Sequence, residues 1–195
     1  MSKDILITEL MSLEEYAKRR SEFRENIFQH KKHRSLKIGD AVILFFEDRK
    51  TIHYQIQEML RIEKIFEKEG IKEELSSYNP LIPNGDNWKA TMMIQYTDPQ
   101  ERQIALSKMV GIEDCVWVKV ADNELIYAVA DEDLDRTRED KTSSVHFLRF
   151  QFNSDILDKI NETTPIVFGI DHKHYDMNTG DIGRKLRKSI MNDLD

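Results

Sequence analysis

The sequence predicts an α+β protein, with a mixed, largely antiparallel sheet and helices packed on it. Segments with the helical period of 3.6 and segments with the strand period of 2 alternate along the chain. One stretch, residues 115–130, has the pattern of a β-hairpin, which requires antiparallel pairing. The 195 residues show no repeat and no linker, so we expect a single globular domain over residues 1–195.

Composition narrows the class of protein. The formal net charge of -7 argues against general nucleic-acid binding. No apolar run approaches the ~18 residues of a membrane span, and the N-terminus lacks the apolar stretch of a signal peptide. The single cysteine, Cys115, cannot form an internal disulfide and is expected in the core. We therefore expect a cytoplasmic protein with neither nucleic-acid nor membrane partners.

The first two elements are a helix and a strand. Residues 12–34 form a helix that begins at Ser12, with Glu15 completing a capping box. Residues 36–48 predict a strand, and the nearly continuous apolar run within it places the strand in the middle of the sheet.

The next element is a predicted helix over residues 51–70, capped by either Thr51 or Asp48 and ended by Gly70. A short helix then leads into the segment NPLIPNGDN, residues 79–87. Its prolines and glycine predict a loop with a fixed conformation, and such loops often carry function.

The second half of the chain alternates in the same way. Residues 88–96 predict a half-buried strand, and residues 98–111 predict a helix with Asp98 as its cap. The hairpin over residues 115–130 turns at Asp122 and Asn123. The remaining predicted elements are a charged loop over 131–140, a strand over 142–152, a helix over 154–162, a strand over 165–170 and a helix over 181–194.

Charged residues interrupt the apolar stripes of these elements. Glu63 lies in the stripe of the helix over 51–70, and Arg20 and Arg24 lie in the stripe of the first helix. In the strand over 142–152, His146 and Arg149 alternate with apolar residues.

A buried charge needs a partner, because desolvating it alone costs several kcal/mol. We therefore expect Glu63 to be buried and paired with Arg20, Arg24 or Arg149, with Glu47 as a further acid. These groups form either a purely structural ion-pair network or a pocket in which surplus arginines bind an anion.

Metal-ligand motifs are sparse. The sequence has no HExxH and no paired cysteine motif. In DHKHYD, residues 171–176, His172 and His174 point the same way if the chain is extended, so they could hold a divalent ion. A polar loop is the simpler interpretation. We expect any ligand or metal to lie near His146 instead, because its ring is sheltered within a strand.

Five segments together resemble the bacterial domain of unknown function family 3501 over nearly the whole chain. They are SLEEYAKRRSEFR, FFEDRKTIHYQIQEMLRIEKIF, YNPLIPNGDNWKATMMIQY, KTSSVHFLRF and GIDHKHY. Asp48 stands where we expect the family to prefer asparagine. The residues shared with the family pattern are Arg20, Arg24, Glu58, Arg61, Glu63, Asn79, Pro80, Thr142, His146 and Arg149.

The resemblance carries no established activity. Genes of the family often lie beside those of rubrerythrin and of iron–sulfur oxidoreductase-like proteins. It therefore implies a cytoplasmic role linked to peroxide, iron or anaerobic redox metabolism, with those proteins as partners.

Two functional hypotheses follow. The first is a non-enzymatic binding or accessory module with a pocket for a small anionic ligand. Its lining residues would be Arg20, Arg24, Glu63, Asn79, His146 and Arg149. The alternative is a metal- or redox-dependent enzyme that uses His146 with Glu58 or Glu63 as an acid–base pair or as ligands.

Overall fold

A computed structural model describes residues 3–195 and contains, within that range, six α-helices and nine β-strands. The helices are α1 (Leu13–Lys31), α2 (Arg49–Glu63), α3 (Lys68–Tyr78), α4 (Pro99–Lys108), α5 (Ser154–Leu157) and α6 (Arg184–Met191). The strands are β1 (Ser35–Ile38), β2 (Val42–Phe46), β3 (Asn87–Ile94), β4 (Val116–Val120), β5 (Ile126–Tyr127), β6 (Val129–Ala130), β7 (Val145–Gln151), β8 (Ile166–His172) and β9 (Tyr175–Asp181).

The helices begin at side-chain caps that the sequence predicts. Ser12 Oγ accepts a hydrogen bond from the Glu15 amide at the start of α1. Asp48, one of the two predicted alternatives, caps α2 by accepting from the Thr51 amide. Asp98 caps α4, with proline at the first helical position. Each cap satisfies an amide that the helix leaves without a partner, which defines where these helices start.

The strands form two antiparallel sheets. The first has the order β1-β2-β3-β7-β6, and the second has the order β5-β4-β8-β9. The predicted α+β class, with helices packed on antiparallel strands, is confirmed. The sequence predicts one sheet, whereas the structure has two. The strands are divided because the chain leaves the second sheet after β5 and joins the first at β6.

A shared aromatic core joins the two sheets. Phe46 and Phe150 from the first sheet each lie 5.3 Å, between ring centroids, from Phe168 of the second. Trp88 lies against the same ring at 5.9 Å and donates its indole N–H to the Ile190 carbonyl of α6. Edge-on aromatic contacts of this kind add to the burial of apolar surface that holds the sheets together.

The helices α1 to α3 form a layer with its own small core. This second cluster of buried apolar residues comprises Ile5, Ile52, Ile56, Leu60, Leu75 and Ile82. The layer meets the first sheet through Glu47, whose carboxylate accepts hydrogen bonds from Thr51 of α2 and Thr91 of β3. Within residues 3–195, no helix has the length and apolar character needed to cross a membrane.

The predicted strand over residues 36–48 is a hairpin of β1 and β2. Gly39 lies in the turn with φ at +62°, a left-handed conformation that favours glycine. A Cβ atom at this position would lie 2.6 Å from the hydroxyl of Tyr175. That hydroxyl donates to the Ile38 carbonyl and accepts from the amides of Ala41 and Val42. The glycine therefore leaves room for Tyr175 of β9 to hold the β1–β2 hairpin in place.

The predicted helix over residues 51–70 ends early. Lys64 adopts a left-handed conformation with φ at +56°, so α2 stops at Glu63 and α3 begins at Lys68. Phe66 therefore lies between the two helices and is 71% exposed, and Ile62, in the last turn of α2, is 58% exposed.

The DHKHYD segment is the turn of a second missed hairpin, between β8 and β9. His172 is buried, with Nε2 3.2 Å from the Val110 carbonyl and Nδ1 accepting from the His174 amide. His172 therefore belongs to a buried strand and not to a polar loop, because β8 packs on the core.

Candidate functional site

His146 is fully buried at the centre of a polar network. On β7 it alternates with outward residues and shares the inward face with Leu148 and Phe150. Its Nδ1 lies 2.6 Å from Asp131 Oδ2, and its Nε2 lies 2.8 Å from the Thr142 hydroxyl. The sequence prediction of a sheltered imidazole held in one orientation is confirmed.

A second carboxylate approaches the other ring nitrogen of His146. Glu113, in a 3-10 turn over Ile112–Cys115, places Oε2 3.8 Å from His146 Nε2. The same carboxylate accepts hydrogen bonds from the hydroxyls of Thr137 and Thr142. The imidazole is thus flanked by two acids, both with side chains only 9% exposed.

Asp131 attaches the segment that follows β6 to β7. Its φ of +47° is in the left-handed region, which aspartate tolerates better than most residues. Its carboxylate accepts from the Phe147 amide at 2.9 Å and lies 3.2 Å from the guanidinium of Arg136. Asp131 therefore positions both the imidazole of His146 and the segment that follows β6.

The outer face of the same sheet contains a cleft with a volume of about 410 Å³, which we call the Lys89–Arg149 cleft. The end of α3 and the following turn form one wall, the segment after β6 forms the other, and β3 and β7 form the floor. The lining residues are Glu47, Ser76, Ser77, Pro80, Leu81, Lys89, Ala90, Glu132, Asp133, Leu134, Phe147, Leu148 and Arg149.

Two cations face each other on the floor of this cleft. Lys89 and Arg149 are directly opposite partners in the β3–β7 register. Burial, and then the charge of Arg149, lower the pKa of Lys89, while Glu132 acts the other way. Like charges placed opposite one another are unfavourable in a sheet, so these two side chains need partners that offset the repulsion.

Each cation has a local partner. The Arg149 guanidinium donates from Nε and Nη2 to the two oxygens of Glu132, both at 2.7 Å. Lys89 Nζ donates to the Pro80 carbonyl. The Glu132 side chain is 52% exposed, so the acid that occupies the guanidinium comes from a solvent-facing segment.

Glu47 is the acid of the cleft that lacks a cation. Its two carboxylate oxygens accept from Thr91 at 2.7 Å and Thr51 at 2.5 Å. Among residues 3–195 it takes part in no ion pair within 4 Å. The expectation that Glu47 balances the arginines is therefore wrong, because hydroxyl groups satisfy its carboxylate.

The prediction that Glu63 is buried and paired is wrong. Glu63 lies exposed in the last turn of α2, because the helix ends there, and it forms no ion pair in the described part of the chain. Arg20 of α1 pairs instead with Glu58. The Glu58 carboxylate accepts hydrogen bonds from Arg20 at 2.7 and 2.9 Å and from the Tyr16 hydroxyl at 2.6 Å. Arg24 points to solvent.

The predicted residues do not share one pocket. His146 and Arg149 are three positions apart on a strand, so their side chains leave on opposite faces of the sheet. Glu58 is bound within the helical layer and Glu63 is exposed, so the pairing of His146 with either acid is also wrong. The acids beside His146 are Asp131 and Glu113.

Within the proline-containing segment 79–87, Pro80 and Leu81 lie at the cleft, but the Asn79 side chain does not. Pro80 and Leu81 line the cleft beside Arg149. The Asn79 amide instead exchanges two hydrogen bonds with the backbone of Ile5, at 2.9 and 3.1 Å, and so anchors the N-terminal segment.

Sequence reasoning missed four residues of these sites: Lys89, Glu113, Asp131 and Glu132. Lys89 occupies a polar position of a correctly predicted half-buried strand, which an alternation pattern assigns to solvent. Asp131 and Glu132 begin a segment with six acids, where composition indicates a solvated loop. Only the strand register, which joins β3 and β6 to β7, brings Lys89, Asp131 and Glu132 to the sites.

Comparisons with known proteins agree on the family and the fold. A family model described as "Protein of unknown function (DUF3501)" matches residues 4–194. A crystal structure of a novel protein of unknown function from Burkholderia pseudomallei K96243 is similar at 44% identity, with complete coverage of both chains and a TM-score of 0.93. No curated protein matches the chain.

Proposed function

The chain belongs to the DUF3501 family, whose description assigns no activity. From the geometry of the Lys89–Arg149 cleft, we propose that this protein is a non-enzymatic binding module for a small amino-acid-like ligand. The observation that carries the proposal is the pair of cations placed opposite one another on the cleft floor.

The carboxylate end of the ligand is assigned to Arg149 and Lys89. A guanidinium presents a planar fork that matches a carboxylate, and Arg149 already holds the carboxylate of Glu132 in that geometry. A ligand carboxylate could take the place of Glu132 without any change in the conformation of the Arg149 guanidinium. Lys89 then contributes a second charge, and because its side chain is half-buried, the attraction is stronger than it would be in open water.

The ammonium end is assigned to Glu47. This carboxylate lines the cleft, is held rigidly by two threonine hydroxyls and has no cationic partner within the described residues. Thr91, which holds it, follows Lys89 by two residues on β3, a separation of roughly 7 Å along the strand. The carboxylate and ammonium of an α-amino acid, with a hydrogen bond at each end, span a comparable distance.

The remaining lining favours an apolar side chain. Leu81, Leu134 and Phe147 contribute apolar surface to the cleft. Pockets for small molecules typically combine such surface with a few placed polar groups, and a volume of about 410 Å³ is within their usual range.

The proposal is tested by isothermal titration calorimetry, first with a panel of L-amino acids. For the apolar side chain that binds best, here taken as L-leucine, the deaminated analogue 4-methylpentanoate and the decarboxylated analogue isoamylamine are measured as well. We expect saturable binding of the amino acid and at least a tenfold loss for each analogue. Absence of saturable binding across the whole panel would overturn the proposal.

Variants assign the binding to the cleft. Arg149→Met, Lys89→Met and Glu47→Gln should each weaken binding at least tenfold, whereas Arg184→Met, which removes an exposed cation of α6, should leave it unchanged. Glu132→Gln should tighten binding, because it frees the guanidinium. Equal affinity of the Arg149→Met variant and the wild type would place any ligand elsewhere.

The link to redox metabolism is a separate proposal that rests on the resemblance alone. A cytoplasmic role beside rubrerythrin or iron–sulfur oxidoreductase-like proteins predicts that this chain co-purifies with one of them from native extract. Retention of neither protein by the immobilised chain, in buffers of low and moderate salt, would remove that proposal.

A further inference from the structure

We infer that His146 and Glu113, together with the oxygens of Thr142 and Ser143, form a binding site for a divalent first-row transition metal. The site is on the inward face of β7 and is separate from the Lys89–Arg149 cleft, so it does not depend on the function proposed for that cleft.

Three oxygen atoms lie around Nε2 of His146. From His146 Nε2, the Thr142 hydroxyl oxygen lies at 2.8 Å, the Ser143 carbonyl oxygen at 3.1 Å and the Glu113 carboxylate oxygen at 3.8 Å. Neighbouring ligands of an ion with bonds of about 2.1 Å lie roughly 3 to 3.5 Å apart. The observed separations bracket this range, so small side-chain movements would bring all four atoms to bonding distance.

Asp131 provides the support that metal-binding histidines usually have. Its carboxylate lies 2.6 Å from His146 Nδ1, whereas the carboxylate of Glu113 approaches Nε2. A carboxylate that accepts the second ring N–H fixes the tautomer and leaves Nε2 free to bind a metal. Asp131 is therefore a positioning residue and Glu113 is the direct ligand.

The charge balance of the cluster favours a cation. The side chains of Glu113 and Asp131 are each only 9% exposed, and the guanidinium of Arg136 is shared between Asp131 and Asp133. A divalent ion would neutralise this excess of negative charge.

The donor set indicates the class of metal. One imidazole nitrogen combined with carboxylate, hydroxyl and carbonyl oxygens suits zinc or manganese better than the purely oxygen-seeking magnesium. The ion would enter through the 131–141 segment, which covers the cluster without regular secondary structure.

The test uses untagged, full-length protein that has been dialysed against a chelator. Zn²⁺, Mn²⁺ and Mg²⁺ are added separately, unbound ion is removed, and the metal content and the melting temperature are measured. We expect about one zinc or manganese ion per chain, a rise of several degrees in the melting temperature, and neither effect with magnesium.

Two variants and one control locate the ion. Glu113→Gln keeps an acceptor for the two threonine hydroxyls but removes the charge, and it should lower the metal affinity at least tenfold. Asp131→Asn should lower it 10- to 100-fold through the orientation of His146. Glu124→Gln, which alters an exposed acid in the turn between β4 and β5, should bind metal like the wild type.

Two outcomes would overturn the inference and leave a buried hydrogen-bond network only. The first is wild-type protein that neither retains stoichiometric zinc or manganese nor gains thermal stability from them. The second is a folded Glu113→Gln variant that binds the ion as tightly as the wild type, which would indicate surface histidines as the ligands.

Discussion

Glu58 is the acid whose environment most clearly departs from that of a surface residue. Its carboxylate receives the fork of Arg20, the hydroxyl of Tyr16 and a further contact from Arg61 at 3.2 Å. The hydrogen bond from Arg20 is the main reason why the pKa of Glu58 falls to about 2, and it outweighs the opposing effect of burial. The group therefore joins α1 to α2 as a charged residue.

Substitutions at Glu58 and Glu63 should differ sharply in their effect on stability. Glu58→Ala leaves Arg20 and the Tyr16 hydroxyl without their partner, so we expect a loss of about 3–5 kcal/mol in the free energy of unfolding. Glu63→Ala removes an exposed side chain and should change it by less than about 0.5 kcal/mol. Urea denaturation measures both, and equal losses would contradict the assignment of Glu58 as the paired acid.

Turns decide how the elements are arranged. The β1–β2 hairpin depends on Gly39, and the α2–α3 break depends on a left-handed conformation at Lys64. Because of that break, α3 and the turn after it can reach the outer face of the first sheet, where Pro80 and Leu81 form a wall of the Lys89–Arg149 cleft.

The two left-handed glycines of the sheets provide a matched comparison. Gly39→Ala places a methyl group against Tyr175, and Gly180→Ala, at nearly the same φ of +63°, meets no atom within 4 Å. We expect Gly180→Ala to cost about 1 kcal/mol, from backbone strain alone, and Gly39→Ala to cost about 3 kcal/mol, from strain and the lost clamp. Thermal unfolding distinguishes the variants, and equal melting temperatures would contradict a role for the Tyr175 contact.

At the scale of the molecule, the helical layer is held to the rest by polar contacts as well as by its apolar core. The two buried clusters are distinct, one between the sheets and one within the helices. The ionisation of the groups that join the elements should therefore affect the stability of the whole protein.

Acid should destabilise the molecule through Glu58. Because its folded pKa of about 2 is below the ordinary value of 4.5, its charged form favours the folded state above pH 4.5. That contribution, about 2 kcal/mol after allowance for solvent screening, is lost as the pH falls through about 2. Denaturation from pH 6 to pH 2 should show a smaller decrease for Glu58→Gln than for the wild type, and parallel curves would contradict this role.

The sequence was most informative where a signal is local. Caps at Ser12 and Asp98 and the alternation of β3 and β7 are confirmed, because each depends on hydrogen bonds or faces within a few residues. The burial of His146 was predicted for the same reason. The partner of Arg20 was not, because a helical wheel shows which residues share a face but not where the helix ends.

By itself, then, the sequence determined the α+β class, the family resemblance, most elements and the sheltered position of His146. Tertiary structure alone decided which groups meet. Antiparallel register places Lys89 opposite Arg149, and the crossing from β5 to β6 brings Asp131 to His146. These contacts join residues that are distant in the chain, and their geometry depends on the packing of whole sheets, which no local pattern encodes.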